Sequence, residues 1–326
     1  MTIQIGIIGA GNMGADHAVT AHRFVSGARV ELLADLDLTR AETVAAPLGS
    51  RATDDPYALI TDPAVDAVII ASHDSTHAGF IRACVAAGRP VLCEKPLAPT
   101  LAEARALMGE IGSQARLVSL GFMRRFDPGY TELRAAIANR AMGTPVLVHS
   151  VGRGVASGPG STSESSVSNS AIHDLDIVPW LLDSPVVEAS WHAPRPSALA
   201  DGFADPQLIL LRTADGVLST VEIFLNAGYG YDVRCEVVGE TGTASLVEPA
   251  RIVTDDALRR STSYAADWRP RFAEAYRREL QAWVDHLGGA PAGSLASAAD
   301  GLRASLVADA VVTSMHTGGA PTAVDR

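Results

Sequence analysis

The chain has 326 residues, more than one average domain of about 100–200 residues accounts for, so two domains are expected. Hydrophobic residues make up 47% and charged residues 19%, which supplies a buried core and excludes a disordered chain. The formal net charge is −11 with no run of lysines or arginines, which argues against nucleic acid and anionic membranes as partners and leaves any anionic cofactor to local donors.

The opening apolar run Ile3–Ile8 has no basic stretch ahead of it and is too short for a secretory or membrane segment. It reads as a first strand, and a cytoplasmic location is expected. Cys84, Cys93 and Cys235 are odd in number and lack paired ligand spacing, so neither a disulfide framework nor a metal site is expected.

Over residues 1–121, short β-branched runs at 3–8, 30–34, 65–71, 91–93 and 116–120 alternate with helical patterns. Their continuous apolarity predicts strands covered on both faces, the mark of a parallel sheet in a doubly wound α/β domain. Directly after the first run stands Gly9-Ala10-Gly11-Asn12-Met13-Gly14. A lone motif of this kind is weak evidence, but here it lies between a strand and a helix. That context supplies a tight turn at Gly9, close backbone approach at Gly11, helix packing at Gly14 and a helix N-terminus for a pyrophosphate. Asp35 ends the second run; an acid there accepts from both ribose hydroxyls and repels a 2′-phosphate, and Leu36 behind it offers no cation. NAD is therefore expected over NADP.

The next runs end in Ser72-His73-Asp74-Ser75-Thr76-His77 and in Cys93-Glu94-Lys95-Pro96. Ligands of open α/β sheets sit beyond the carboxyl ends of the strands, so Ser72, His73, His77, Glu94 and Lys95 are expected to border the nicotinamide. A loop lysine is ordinarily a solvated side chain; its strand-end position and the following Pro96, which fixes its exit direction, favour a functional Lys95. His17 and His77 read first as structural histidines at helix starts and second as cofactor neighbours.

Residues 122–326 form the second predicted domain, α+β, with strand patterns at 145–151, 186–192, 207–212, 217–225, 233–238 and 243–247. Asp215-Gly216 and Glu240-Thr241-Gly242 read as hairpin turns, which predicts an open-faced, mainly antiparallel sheet. Phe272, Tyr276, Leu280, Trp283 and Leu287 lie on one helical stripe, and Leu302, Leu306 and Val311 on another; both read as core. The glycine- and serine-rich stretch 152–170 has no packed-element pattern and is expected to be a mobile loop over a substrate cleft rather than a plain linker. The helix after it sets Asn169, His173 and Asp176 at spacings of four and three, on one face.

The glycine motif with its trailing His17, Asp35, Glu94-Lys95-Pro96, Gly121-Phe122-Met123-Arg124-Arg125-Phe126-Asp127 and Ala171-Ile172-His173-Asp174-Leu175-Asp176 together resemble the Gfo/Idh/MocA oxidoreductase family across nearly the whole chain. The Arg124-Arg125 pair and Tyr229-Gly230-Tyr231-Asp232 resemble its inositol 2-dehydrogenase branch. The resemblance implies an NAD-dependent dehydrogenase for a secondary hydroxyl of a cyclic polyol or sugar, assembled as a homodimer or homotetramer through the second-domain sheet. It implies Lys95, His173 and Asn169 as catalytic residues, and Lys95, Arg124, Asn169, His173 and Tyr231 as substrate contacts. A neutral imidazole can take the hydroxyl proton while Lys95 stabilises the developing negative charge. Two departures stand out. Asn169 occupies a position where the branch usually presents aspartate, and Gly152 and Gly154 stand where it tends to carry histidine and asparagine. Alternatives at this stage are an NAD-dependent glycosidase working through transient oxidation and a non-catalytic NAD-binding regulator.

Overall fold

The computed structural model describes residues 2–247 and 252–325. The chain divides into two compact units, Met1–Phe126 with Glu274–Ser305 and Asp127–Ala273 with Leu306–Arg326. Helices α9 (Trp268–Leu287) and α10 (Ala298–His316) therefore contribute residues to both, α9 with a break in helical geometry at Phe272.

In the first unit, β1 (Ile3–Ile8), β2 (Ala28–Ala34), β3 (Arg51–Thr53), β4 (Ala67–Ile70), β5 (Val91–Glu94) and β6 (Val118–Gly121) pair in parallel in the order β3-β2-β1-β4-β5-β6. Ala296–Ser297 adds a short antiparallel edge to β6. Ile5, Ile7, Leu33, Ile69 and Leu92 are buried with Leu280, Trp283 and Val284 of α9 in one core cluster. The returning stripe is thus core, as its spacing predicts. The strand order reverses between β1 and β4, and the crevice beyond the carboxyl ends at such a point is where an open α/β sheet holds its ligand.

In the second unit, β7 (Pro145–Arg153), β8 (Val186–His192), β9 (Gln207–Thr213), β10 (Leu218–Phe224), β11 (Asp232–Gly239) and β12 (Thr243–Ser245) run in the order β12-β11-β7-β10-β9-β8, with Thr322–Ala323 beside β8. Every pairing is antiparallel except β7 with β10. Along β9 and β10 burial alternates: Ile209, Leu211, Val221 and Ile223 face the core, and the intervening residues are more exposed. Gly216 adopts φ +85° in the β9–β10 hairpin, a conformation only glycine takes without strain.

The expectation that 152–170 holds no packed element is overturned at its two ends, while 154–162 carries no strand or helix. The first residues of the stretch continue β7, Ser163–Ser165 form a short helix α7, and Ser166–Ala171 form a π-helical turn leading into α8 (Ile172–Leu182). Thr162 and Ser165 make a reciprocal capping box. Ser166 and Val167 are buried, so this is a packed element whose serines act in caps and turns rather than as flexible chain.

Candidate active site

The first unit builds a dinucleotide cradle from its own backbone. Gly9 takes φ +98°, and a side chain there would press on the Ala71–Ser72 backbone at 2.7 Å. A Cβ at Gly14 would lie 1.8 Å from the Gly9 carbonyl oxygen, so only glycine lets α1 (Asn12–Phe24) start this close to β1. A Cβ at Gly11 meets no atom within 4 Å, and no side chain caps the helix there. With Asn12 exposed, Met13 half-buried and no acid in the first turn, the amides at the α1 N-terminus are free to receive a pyrophosphate. These residues fit NAD.

Asp35 is held by two backbone amides: Ala10 N–H donates to its Oδ2 at 2.8 Å and Asp37 N–H to its Oδ1 at 2.9 Å. The carboxylate thereby ties the end of β2 to the glycine loop. Leu36 is not a cation, but Arg40, on the first turns of α2 (Leu38–Ala45), reaches 3.5 Å from Asp35 Oδ1. The first turn of α2 folds it back over the end of β2.

Beyond β4 and β5, His77 clamps the two loops together. Its Nδ1 lies 2.7 Å from the Pro96 carbonyl and its Nε2 3.1 Å from that of Ser72. The ring is buried at the start of α4 (His77–Ala86), so the structural reading of His77 is the one its contacts support. Ser72 bonds Thr76 through their hydroxyls at 2.7 Å, while exposed His73 lies 2.9 Å from Asp74. Glu94 turns its carboxylate onto His17, whose Nε2 is 2.8 Å from Oε1. Lys95 follows, half-buried; burial pushes its ammonium below the usual lysine range, Glu94 and Asp74 counter that, and Arg124 adds to it. Arg124 is buried rather than solvated. Burial also pushes the Cys84 thiol up to about 12 and Cys93 well above its ordinary value, so neither is a nucleophile.

In the second unit, His173 is half-buried near the start of α8 and Asp176 is buried one turn on, while Asn169 is exposed within the π turn. The change from π to α winding falls between Asn169 and His173, so regular i to i+4 α-helical geometry does not describe that pair. Asp174, at the same helix start, is fully buried and accepts from Ser150 Oγ of β7 at 2.5 Å, which anchors α8 to the sheet. The two glycines of β7 differ. A Cβ at Gly152 approaches Ile223 at 3.3 Å, whereas one at Gly154 would stand 2.9 Å from the Leu225 carbonyl oxygen. Tyr231 is half-buried, donates its backbone N–H to Ala265 and sets its ring edge-on to Phe272. Among the described residues no cluster of His, Cys, Asp or Glu could hold a metal ion, and no helix is long and apolar enough to cross a membrane.

Two family descriptions match the chain: the oxidoreductase family with NAD-binding Rossmann fold over residues 3–122, and the GFO/IDH/MocA C-terminal domain over 130–245. The chain belongs to the Gfo/Idh/MocA oxidoreductases. Among relatives of this Gfo/Idh/MocA protein, an inositol 2-dehydrogenase of Paenarthrobacter aurescens is 53% identical, covering 99% of both chains, and one of Paracoccus denitrificans is 40% identical, covering 100% of this chain and 97% of the other. The Lactobacillus casei myo-inositol dehydrogenase, solved with NAD(H) and myo-inositol, superposes with a TM-score of 0.92 at 28% identity, covering 100% of this chain and 98% of the other.

The plainest signal missed in the sequence was a count. Lys95 is the only lysine among the 26 basic side chains; all the others are arginine. A lysine differs from those arginines in offering a compact ammonium in place of a planar guanidinium.

Proposed function

We propose that the chain oxidises a secondary hydroxyl of a cyclic polyol of the inositol type, with NAD as cofactor. The observation that carries the reading is the 53% identity to an inositol 2-dehydrogenase over 99% of each chain. Dehydrogenase names run through the other relatives and give no support to the glycosidase or regulatory alternatives.

Gly9, Gly11, Asn12, Met13 and Gly14 would hold the pyrophosphate and Asp35 the adenosine ribose, with Ser72, His73, His77 and Glu94 around the nicotinamide end. When bound, NAD accepts a hydride from the carbon being oxidised. The chain's own residues handle the proton: His173 takes it from the hydroxyl on a ring nitrogen, with Asn169 beside it on the π turn. Lys95 donates a hydrogen bond to the same oxygen, where a cation stabilises the charge that develops as the proton leaves. Arg124 and Tyr231 contact the other hydroxyls. The second-unit sheet joins copies into a homodimer or homotetramer, and the enzyme works in the cytoplasm.

A panel of inositol isomers, aldoses and sugar acids, assayed for NADH formation, tests this reading. A clear preference for one inositol is expected. Turnover confined to the aldoses or sugar acids, or none across the panel, would overturn it.

A further inference from the structure

We propose that His17 and Glu94 form a buried positioning pair whose single negative charge keeps Lys95 as an ammonium; its bearing on turnover rests on the proposed role of Lys95. The pair spans α1 and β5. His17 is 1% exposed and Glu94 8% exposed, and His17 Nε2 stands 2.8 Å from Glu94 Oε1. Beneath the carboxylate, β6 presents Gly121 in register with Glu94, and a Cβ there would lie 3.0 Å from the carboxyl carbon. Bare backbone thus packs on one side of the carboxylate and the imidazole on the other.

The other ring nitrogen of His17 decides the charge. Nδ1 is buried with no hydrogen-bond partner among the described residues, and the ring packs edge-on to Tyr276 with centroids 5.6 Å apart. A doubly protonated ring would bury an N–H with no acceptor, which costs about 1–3 kcal/mol. A neutral ring donates its one proton from Nε2 to Glu94 and leaves Nδ1 as an unpaired acceptor, which also costs free energy but buries no second ionic charge. The pair is thus a neutral donor and a carboxylate, with net charge −1 beside Lys95.

Lys95 needs that charge. Burial acts against its ammonium, and the charged groups that act on it include Glu94, its chain neighbour at the end of β5, Asp74 on the turn after β4, and Arg124 on the turn after β6. Arg124 opposes the ammonium. Of the two anions, Asp74 is the wetter and is shared with His73 at 2.9 Å, so solvent screens it more. Glu94, dry and fixed, is the stronger counter-charge.

The lone lysine makes a direct test available. Protein grown on 13C-labelled lysine carries one labelled side chain, so the pH titration of its Cε resonance reports Lys95 alone, without substrate or turnover. Glu94→Gln keeps the shape and removes the charge, and the Lys95 midpoint should fall by about one pH unit. His17→Phe removes the donor that holds the carboxylate in place, a carboxylate so released is a weaker counter-charge, and the midpoint should fall likewise. His17→Gln restores an N–H donor and should restore the native midpoint, which a merely space-filling histidine would not do. An unmoved midpoint in Glu94→Gln overturns the counter-charge, and an unmoved one in His17→Phe overturns the part of His17. Lys95→Met separates the two readings: full turnover in that variant sinks the proposed role of Lys95 and leaves the titration standing.

Discussion

Arg40 brings a guanidinium nitrogen to 3.5 Å from the Asp35 carboxylate, so the end of β2 carries a cation that the acid holds in check. In the native protein the carboxylate is fixed by the Ala10 and Asp37 amides, and with Asp35 in its proposed place at the ribose NAD should bind more tightly than NADP. Asp35→Ser should weaken NAD about tenfold or more, the worth of a hydrogen bond to a charged group. It should also release Arg40 toward a 2′-phosphate and tighten NADP. Adding Arg40→Ala should remove that NADP gain. Fluorescence titration of both cofactors on the three proteins checks this, and tighter native binding of NADP would refute the assignment of Asp35.

The proposed role of Lys95 predicts a loss in turnover rather than in folding. Lys95→Met should lower kcat by about 10²- to 10³-fold, as loss of one group that stabilises a developing oxyanion does. NAD affinity and Tm should change little. Because burial places its ammonium below the usual lysine range, the alkaline limb of the native pH-rate profile should lie below the pH at which an exposed lysine titrates. Activity falls there as pH rises and the ammonium is lost. A native profile flat through that range would remove Lys95 from the reaction.

The parallel sheet was legible because its strands are apolar on both faces, and the cradle because Gly9, Gly14 and Asp35 each answer a local backbone demand. Contacts made by helical turns or by long-range return were not. Arg40 reaches Asp35 from the next helix, and Ala296–Ser297 pairs with β6 across more than half the chain. The π turn was hidden for another reason. Serine and glycine composition suggests a loop, yet Ser163–Ala171 is helical because Thr162 and Ser165 cap its start and Val167 is buried. His17 and Glu94 are 77 residues apart, and no local pattern links them.

Asp300 couples α10 to pH. Burial disfavours its carboxylate, but Arg125 at 3.4 Å, Ser297 and Arg303 outweigh burial and hold it down at about 2, against an ordinary 3.8. A carboxyl depressed by folding contributes stability above its unfolded value and loses it as pH falls through the folded one. The difference corresponds to about 2 kcal/mol. Asp300→Asn should therefore lower Tm at neutral pH, and the gap from native should close as pH drops from about 4 to about 2. Thermal melts across that range measure it; a gap independent of pH would assign the loss to packing alone.

The proposed roles of Asn169 and His173 predict the acid side of the pH-rate profile. His173 must be neutral to accept the hydroxyl proton, so activity in the oxidative direction falls as pH drops and the imidazole protonates. Asn169, exposed on the π turn before α8, can hydrogen-bond but carries no charge to favour an imidazolium. An aspartate in its place would favour the protonated ring and demand a higher pH before the base is free. Asn169→Asp should therefore move the acid limb of the pH-rate profile upward by about one unit, with the alkaline limb in place. His173→Ala should remove most turnover in either background while NAD titration stays near native. Both profiles are to be measured on one substrate, at saturating NAD. An unmoved acid limb would take Asn169 out of contact with the base, and a robustly active His173→Ala enzyme would place the base elsewhere than on α8.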